Sequence, residues 1–445
     1  MEIIDKRVVE NITTDVVVVG GGAAGVAAAN TIANQNLKVV LIEKYGFCGG
    51  GAVAGLSGTI CGMYEASDKL QNKPKQAVFG FTDQFAKMLE QKGGLTEPIA
   101  YGKTFTRVHD PLVWKETADV FLQNRNITTI YHAVVIKTLV EGNDKIEGVQ
   151  VWSKQGTFNI KSKITIDASG DADVIAMAGL PNFIGDKGKV QNPTMIFKIS
   201  GVDIEIFKRT YGLNSIMPQE VTDLIIKMNK DNRYKLPRAK IWLFSTTKPN
   251  ELLCNCTRII GEDGRELNSL YYKDFTEAET QGRKQIREYA KFFKENLKGC
   301  EKSFVTDTGT QVGIRQTRQV DGVYKLKNSD VTNGKKFKDG IARSPWPIEL
   351  HSGNKPKVEW LLDDVYEIPL NCFIPKNGEG IIAAGRCLSA EHEAVASARV
   401  TAQCFSYGHA VGHAASISIK ENMLLRDIKG ENVREILNKE GARLD

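Results

Sequence analysis

The chain has 445 residues, of which 42% are hydrophobic and 25% are charged, so it can bury a large core in two or three lobes. Its formal net charge of +6 is small for this length and does not indicate nucleic-acid binding, although it mildly favours anionic substrates or cofactors. The eight cysteines include no C-x-x-C pair, so neither a thioredoxin-type motif nor an iron–sulfur or zinc-ribbon site is supported, and we predict no metal centre.

The most informative stretch is 15–43, which predicts a strand, a glycine turn, a helix and a second strand that ends at an acid. Gly20, Gly22 and Gly25 have G-x-G-x-x-G spacing. The first allows a tight turn, the second lets the backbone approach a pyrophosphate, and the third lets the helix pack close to the strand. The helix N-terminus favours phosphate, and Glu43 can accept hydrogen bonds from a ribose diol. This unit predicts a dinucleotide site, with NAD as the default ligand.

The same stretch allows a rival interpretation, because residues 16–37 carry no charge over a length that could span a bilayer. Amide side chains crowd its second half and adjacent glycines interrupt its first, which argues against a membrane helix. The N-terminus lacks the basic-then-apolar order of a signal peptide. We therefore predict no stable membrane insertion and a cytoplasmic location.

The predicted elements after this unit begin with a glycine-rich loop that has little room for regular structure. Two helices follow, the second capped by Asp110, and then a β-meander and a further strand. The predicted bounds are 46–62 for the loop, 81–91 and 112–124 for the helices, 128–160 for the meander with its hairpin at 141–144 and its third strand at 157–160, and 163–167 for the next strand.

Residues 190–300 combine strand-like segments with charged helices and predict a second lobe. Motif-rich sequence then returns at 309–324 and 381–418. The predicted bounds are 194–199, 239–244 and 252–260 for strands of the lobe, 276–296 for its clearest helix, 380–384 for a strand that runs into Gly385-Arg386, and 400–419 for a C-terminal helix.

Five motifs carry a resemblance that extends over most of the chain: 20–43, 43–50, 167–171, 313–318 and 382–400. Together they resemble the FAD-dependent oxidoreductases of the glutathione-reductase-like superfamily and, more distantly, the fumarate reductase flavoproteins. The resemblance implies an α/β fold, with a three-layer Rossmann-like FAD-binding domain built from discontinuous segments and an inserted β-rich substrate lobe. The implied domains are 10–185 (first part of the FAD-binding domain, with the meander), 186–305 (substrate lobe), 306–425 (return segment with the flavin-facing motifs) and 426–445 (charged C-terminal tail).

The resemblance also implies FAD as the cofactor, held along its full length. The helix after Arg399 would face the flavin pyrimidine edge, where its dipole stabilises the negative charge of reduced flavin. Arg386 departs from the superfamily, since many members carry an acid there, and it would instead pair with phosphate. The implied cofactor-binding residues are Gly20, Gly22, Ala24, Gly25, Glu43, Lys44, Gly49, Gly50, Val135, Gly170, Asp171, Gly385 and Arg386.

Three residues near the expected flavin are candidate catalytic residues: Arg315, His392 and Arg399. Arg315 would bind a carboxylate or carbonyl or stabilise charge, whereas the alternative for it and for Arg318 is an interdomain salt bridge. His392 could move a proton, or it could shape its loop through backbone hydrogen bonds. Arg399 suits either a substrate anchor or a flavin contact.

Two further groups of residues have a functional and a structural interpretation. His409 and His413 have metal-ligand spacing on one helix, but no third ligand is visible nearby, so packing is the preferred interpretation. Cys48 and Cys61 lie in the glycine-rich loop, where they could serve a redox or covalent flavin role or simply supply small side chains.

We therefore predict an FAD-dependent oxidoreductase that transfers a hydride between flavin N5 and a carbon of a small organic substrate, by C=C reduction or C–H dehydrogenation. The alternatives are a flavin monooxygenase or oxidase, and an electron-transfer flavoprotein subunit. A second G-x-G-x-x-G unit and a C-x-x-x-x-C pair after the first glycine motif are both absent from the sequence, which argues against a built-in NAD(P)H domain and disulfide reduction. The expected partners are the substrate and an external electron donor or acceptor, and the sequence leaves the oligomeric state open.

Overall fold

The computed structural model describes residues 8–69, 73–142, 144–351 and 357–445. The helices are α1 Ala23–Asn34, α2 Gly50–Val53, α3 Phe81–Gln91, α4 Pro111–Leu122, α5 Asp173–Met177, α6 Ile204–Tyr211, α7 Gln219–Lys230, α8 Tyr272–Asn296, α9 Asn328–Thr332, α10 His392–Ala398, α11 Thr401–Glu421 and α12 Gly430–Lys439, with short 3₁₀ helices at Leu370–Cys372 and Leu425–Asp427.

The strands are β1 Val8–Val19, β2 Val39–Ile42, β3 Thr59–Ile60, β4 Ile99–Tyr101, β5 Thr104–Val108, β6 Ile127–Ile130, β7 Val134–Glu141, β8 Lys145–Ser153, β9 Gly156–Asp167, β10 Asn182–Ile184, β11 Phe197–Ser200, β12 Trp242–Ser245, β13 Glu251–Asn255, β14 Phe304–Thr308, β15 Arg318–Val320, β16 Gly340–Ser344, β17 Ile348–Leu350, β18 Lys357–Glu359, β19 Tyr366–Pro369 and β20 Ile381–Ala383.

The main sheet has a parallel part, in the order β6-β2-β1-β9, with β20 beside the C-terminal end of β9. The valine run at the end of β1 is buried on both faces, as is typical of a parallel sheet. Val16 and Val18 pack into the core that contains α1 and α11, and Val17 and Val19 pack into the core that contains the meander. These layers confirm the predicted three-layer α/β class.

The β-meander predicted at 128–160 is present as the antiparallel strands β7, β8 and β9, although Asn143 of its first turn lies outside the described residues. Its predicted start was wrong, because Ile127–Ile130 form β6, which pairs in parallel with β2. The prediction of separate strands at 157–160 and 163–167 is wrong, because β9 is one continuous strand. Its N-terminal part pairs with β8, its C-terminal end pairs with β20, and β1 follows nearly its whole length. This continuous pairing leaves no place for a turn between the two segments.

The loop predicted at 46–62 contains two short regular elements, α2 and β3, so that prediction was wrong in part. Strand β3 exists because Thr59 pairs with Val108 of β5, which lies far away in sequence. The predicted helices agree closely with α3, α4 and α11. The Asp110 carboxylate caps α4 as predicted, accepting hydrogen bonds from the backbone N–H groups of Leu112 and Val113.

The segment 190–300 contributes most of a four-stranded antiparallel sheet, in the order β12-β13-β11-β14, and the long helix α8. This unit has a hydrophobic core of its own, with Phe197, Leu252 and Phe293 fully buried in it. The segment 426–445 contains helix α12, whose Val433 and Leu437 are buried in the core around α11. None of the described helices is long and apolar enough to cross a membrane, and the predicted location stays a prediction.

His109 is a buried residue whose ring packs against that of Trp114, with 4.4 Å between the ring centroids and 46° between the ring planes. Burial lowers the pKa of His109 to about 3. The unfolded chain, with a histidine pKa of about 6.5, binds more protons between these two values, so the free energy of unfolding falls as the pH falls through this window.

We expect His109→Phe to reduce this pH dependence, by up to about 1.4 kcal/mol per pH unit. The measurement is the free energy of unfolding by urea at about pH 7 and about pH 5, for the wild type and the variant. Equal pH slopes in the two proteins would contradict a neutral, buried His109.

Candidate active site

A cavity of about 330 Å³ opens where the parallel strands of the main sheet end. Val19 ends β1 and Ile42 ends β2, while Ala168 and Ala384 directly follow β9 and β20, and all four residues line the cavity. In an open parallel sheet, the space beyond the carboxyl ends of the strands is the usual ligand site. The fold therefore places the glycine turn at the position expected for a bound nucleotide.

The three glycines of the first motif differ in their surroundings. Gly20 has a φ of +103°, a left-handed conformation that L side chains rarely adopt. A Cβ on Gly25 would lie 1.8 Å from the Gly20 carbonyl oxygen, so this glycine is required for packing. A Cβ on Gly22 would find no atom closer than the Gly50 Cα at 3.8 Å. The space beside Gly22 belongs to the cavity, where a ligand backbone could approach.

Glu43 lies at the cavity wall with its carboxylate held by two backbone donors. The N–H groups of Gly21 and Tyr45 donate to its oxygens at 2.7 Å and 2.9 Å. Burial raises the pKa of Glu43, and these two hydrogen bonds act in the opposite direction. The carboxylate is thus oriented before any ligand binds, and its remaining lone pairs can accept from a ribose diol.

On another wall, Asp171 forms an ion pair with Arg386 and accepts a hydrogen bond from the Thr317 hydroxyl. Burial raises the pKa of Asp171, but the charge of Arg386 and the hydrogen bonds outweigh it and lower the pKa. The Arg386 Nε is buried with no hydrogen-bond partner among the described residues. Arg386 therefore keeps a donor free, and its predicted contact with phosphate stays a prediction.

Helix α11 points its N-terminal end at the cavity. Val400, Thr401 and Cys404 line the cavity, and the Ala402 N–H donates to the Cys61 carbonyl at 3.2 Å. The N-terminus of a long helix carries partial positive charge, which favours an anionic group in front of it. This end of α11 is the one that the sequence predicted to face the flavin.

Two guanidinium groups lie beside this helix end, and both line the cavity. Arg315 is buried and donates to the Asn192 carbonyl at 2.7 Å, and Arg399 donates to the Gln191 side-chain oxygen at 3.3 Å. Neither forms a salt bridge with a carboxylate in the described part of the chain. Burial lowers the pKa of Arg399 to about 10 and that of Arg315 well below its usual value, but guanidinium groups in proteins stay protonated at neutral pH.

Next to the two arginines, Tyr101, Glu349 and His351 form a buried hydrogen-bonded group. The Tyr101 hydroxyl lies 3.0 Å from each Glu349 oxygen, and His351 Nε2 lies 3.2 Å from Oε1. Burial raises the pKa of Glu349, but the hydrogen bond from His351 and the charges of Arg238 and Arg315 outweigh it and hold the pKa at about 2. Burial and then the charge of Arg315 lower the pKa of His351 to about 3. At neutral pH the acid is ionised and the imidazole is neutral.

Aromatic side chains form the wall beside Tyr101. Its ring centroid lies 5.0 Å from that of Trp346 and 6.1 Å from that of Phe244, and all three residues line the cavity. Phe244 lies on β12 and Asn255, also a lining residue, ends β13, so the four-stranded sheet contributes directly to this end of the cavity.

Most of the predicted site residues are brought together, but Gly25 and His392 do not line the cavity. His392 begins α10, and its predicted proton-transfer role stays a prediction without the support of a shared cavity. Arg318 lies outside the lining and contacts the Asp173 carboxylate in a salt bridge. The predicted residues that line the cavity are Gly20, Gly22, Ala24, Glu43, Lys44, Gly49, Gly50, Val135, Gly170, Asp171, Arg315, Gly385, Arg386 and Arg399.

The two cysteines of the glycine-rich loop are protonated thiols. Cys48 lies beneath Gly21, where a Cβ would meet its Sγ at 2.4 Å, and burial raises its pKa to about 12. Cys61 lines the cavity, and burial raises its pKa to about 11. Since the thiolate is the reactive form, this environment favours the interpretation that both are small packing residues.

A family model described as FAD dependent oxidoreductase matches residues 15–437. The chain belongs to this family. It is an FAD-dependent oxidoreductase, FAD is its cofactor, and the resemblance inferred from the sequence is confirmed. A search among curated proteins finds no match to the chain.

Several solved structures are similar to this family member. A geranylgeranyl bacteriochlorophyll reductase-like protein from Thermoplasma acidophilum aligns with a TM-score of 0.52 and 13% identity, covering 97% of this chain and 85% of that one. A p-nitrophenol 4-monooxygenase from Pseudomonas putida DLL-E4 aligns with a TM-score of 0.49 and 13% identity, covering 98% of this chain and 87% of that one. An L-proline dehydrogenase from P. horikoshii aligns with a TM-score of 0.42 and 13% identity, covering 96% of this chain and 99% of that one. The first of these similarities supports the fold alone.

The residues present fit FAD. The open space at Gly22, the oriented Glu43 carboxylate and the free Nε of Arg386 supply a close backbone approach, a diol acceptor and a phosphate donor in one cavity. The N-terminus of α11 supplies a positive helix end at the wall of the same cavity. The FAD-dependent oxidoreductase thus has groups in this cavity that suit a ribose, a pyrophosphate and an anionic flavin.

Sequence reasoning missed the group made by Tyr101, Glu349 and His351. These residues come from β4, β17 and the residue after β17, segments to which the sequence assigned no role. Glu349 and His351 are two residues apart, so a strand would place both on one face, and this was the one local signal available. Their contact with Tyr101 depends entirely on tertiary packing.

We expect Gly22→Ala to impair FAD binding and Gly25→Ala to impair the stability of the fold. The alanine at position 22 has room in the protein but intrudes on the cofactor, so FAD affinity should fall at least about tenfold (~1.4 kcal/mol) with little loss of apoprotein stability. The alanine at position 25 clashes with the Gly20 carbonyl and should destabilise the fold itself. Fluorescence titration of apoprotein with FAD and thermal unfolding of the apoprotein measure the two effects. Unchanged FAD affinity in Gly22→Ala would refute the close approach of the cofactor to the backbone at Gly22.

Proposed function

We propose that this oxidoreductase transfers a hydride between FAD and a carbon of a small organic substrate that carries a carboxylate. Bound FAD supplies the hydride donor or acceptor. The proposal covers C=C reduction and C–H dehydrogenation. The observation that carries it is the pair of guanidinium groups, Arg315 and Arg399, that line the cavity without a carboxylate partner within salt-bridge distance in the described structure.

The charge balance at this end of the cavity favours an anion. Arg315 and Arg399 line the cavity and Arg238 does not, but Glu349 is the carboxylate that acts on all three positive groups. Burying unbalanced charge is costly, and Arg315 and Arg399 also repel each other. A substrate carboxylate would relieve this repulsion and accept the planar, paired hydrogen bonds that guanidinium groups donate. The aromatic wall of Trp346 and Phe244 suits the apolar part of the same substrate.

The group made by Tyr101, Glu349 and His351 supports a proton-transfer role for His351. Glu349 is ionised and accepts from His351 Nε2–H, which leaves Nδ1 of the neutral imidazole as a proton acceptor. The Tyr101 hydroxyl shares the same carboxylate and fixes its orientation. A neutral His351 can accept the proton that is released in C–H dehydrogenation, and we assign to it the proton-transfer role that the sequence suggested for His392.

The direct test uses the FAD-loaded protein, photoreduced without oxygen. We expect reoxidation by α,β-unsaturated acids such as crotonate, fumarate or cinnamate, or reduction of the oxidised protein by 2-hydroxy or 2-amino acids, and a weaker response to the methyl esters. Equal rates with acids and esters would contradict the carboxylate requirement. Rapid reoxidation by oxygen alone, with no response to the panel, would favour an oxidase or monooxygenase and refute the proposal.

We expect Arg315→Met to weaken binding of the reactive acid at least about 30-fold (~2 kcal/mol), because it removes one partner of a desolvated charge pair. The effect should be far smaller for the corresponding ester. The matched control is Arg287→Met, an exposed arginine on α8, which should bind like the wild type. The measurement is the substrate dependence of the flavin absorbance change. A similar loss for acid and ester would indicate general damage and not a lost charge contact.

We expect His351→Gln to slow the flavin absorbance change at least about 100-fold, as loss of a general acid–base group does. Since the pKa of His351 is about 3, the wild-type rate should show no titration of this group between about pH 5 and about pH 8. A wild-type inflection in that range that disappears in His351→Gln would show an imidazole that charges at these pH values and would overturn the assignment of a neutral base.

A further inference from the structure

A second cluster of ligand-type side chains lies away from the cavity, where α11 meets α12. His409 and His413 are one turn apart on α11, and Glu440 directly follows α12. The Glu440 Oε2 lies 2.6 Å from His409 Nε2 and 3.0 Å from His413 Nε2. The sequence showed the two histidines but no third ligand, and the fold supplies one.

We propose that His409, His413 and Glu440 bind a divalent transition-metal ion of the Zn²⁺ type, which ties α12 to α11. Two imidazoles and one carboxylate form a donor set that Zn²⁺ accepts, with a water molecule as the fourth ligand. Imidazole nitrogen suits Zn²⁺ and its neighbours better than Ca²⁺ or Mg²⁺, which prefer oxygen.

The distances within the cluster suit a tetrahedral ion. Bonds of about 2.0–2.1 Å from zinc to nitrogen and oxygen place neighbouring ligand atoms about 3.3 Å apart. The cluster already has one ligand atom of each residue within 4.8 Å of the others. The nitrogen–oxygen separations of 2.6 Å and 3.0 Å are shorter than this ideal by about 0.7 Å and about 0.3 Å. Small rotations of the exposed Glu440 side chain would open the cluster enough to admit the ion.

Burial and charge also favour a cation here. The two histidine rings are buried, with centroids 5.1 Å apart, and the surrounding packing therefore restricts their movement. The Glu440 side chain is 40% exposed, which leaves an entry path from solvent. When both imidazoles are neutral, the ionised Glu440 carboxylate gives the cluster one negative charge, which attracts a cation.

The position of the cluster indicates a structural role. His409 lies eight residues, or about 12 Å along the helix, from Thr401, which faces the cavity. On α12, Val433 and Leu437 are buried, and Arg434 donates to the Glu367 carboxylate at 3.1 Å. An ion at the end of α12 would add a link to these contacts and hold the C-terminal segment on the helix whose other end faces FAD. This site is independent of the proposed substrate and reaction.

The test uses the full-length, FAD-loaded protein after treatment with a chelating resin. Titration with Zn²⁺ alone should show one ion bound per chain and a higher thermal unfolding midpoint when the site is filled. His413→Gln and Glu440→Gln should each weaken binding at least about tenfold. The matched control, Glu435→Gln, removes the same charge from an exposed position on α12 and should bind Zn²⁺ like the wild type.

X-ray absorption of the Zn²⁺-loaded wild type keeps the proposal testable if a variant fails to fold or to retain FAD. Nitrogen and oxygen neighbours at about 2.0–2.1 Å, with imidazole scattering, are expected. A sulfur neighbour at about 2.3 Å would place the ion on cysteine and overturn the proposal. Absence of binding at a large molar excess of Zn²⁺, or equal affinity in wild type and both ligand variants, would overturn it as well.

Discussion

The cofactor site depends on how closely the backbone of α1 approaches its neighbours. A Cβ on Gly25 would lie 1.8 Å from the Gly20 carbonyl oxygen, and a Cβ on Gly408 of α11 would lie 2.0 Å from the Ala24 carbonyl oxygen. These contacts press α1 against the end of β1 on one side and against α11 on the other. The N-terminal ends of α1 and α11 consequently line the same cavity, where two positive helix ends would favour the phosphates and the reduced flavin of a bound cofactor.

Electrostatics divide the cavity into two parts. At the nucleotide end, charges are matched, since Asp171 pairs with Arg386 and Glu43 accepts from two backbone N–H groups. At the other end, arginines outnumber the carboxylate that acts on them, and their hydrogen bonds go to neutral oxygens. This unbalanced charge is the observation on which the proposed substrate carboxylate rests.

The sequence was most informative where one local segment performs one task. The 15–43 unit, the cap at Asp110 and the helix beginning at Thr401 could be predicted because glycine spacing, a capping side chain and hydrophobic periodicity are local properties. Prediction from the sequence failed where a strand depends on pairing with a segment that is distant in the chain. Strand β3 depends on β5, and β9 continues through 161–162 because β1 runs beside it. His351 was missed because the protonation state of a histidine depends on its neighbours in the fold, here Glu349 and Arg315.

From the sequence alone, the glycine spacing of 15–43 predicted a dinucleotide site, because such spacing encodes a local backbone geometry. The class of the protein and FAD as its cofactor followed from the resemblance that all five motifs carry together. Tertiary structure decided which side chains meet at the reactive end. It brought Tyr101 and Glu349 together across almost 250 positions, left His392 outside the cavity, and placed Glu440 against His409. Contacts between distant segments arise from packing the whole chain, and no local pattern of residues records them.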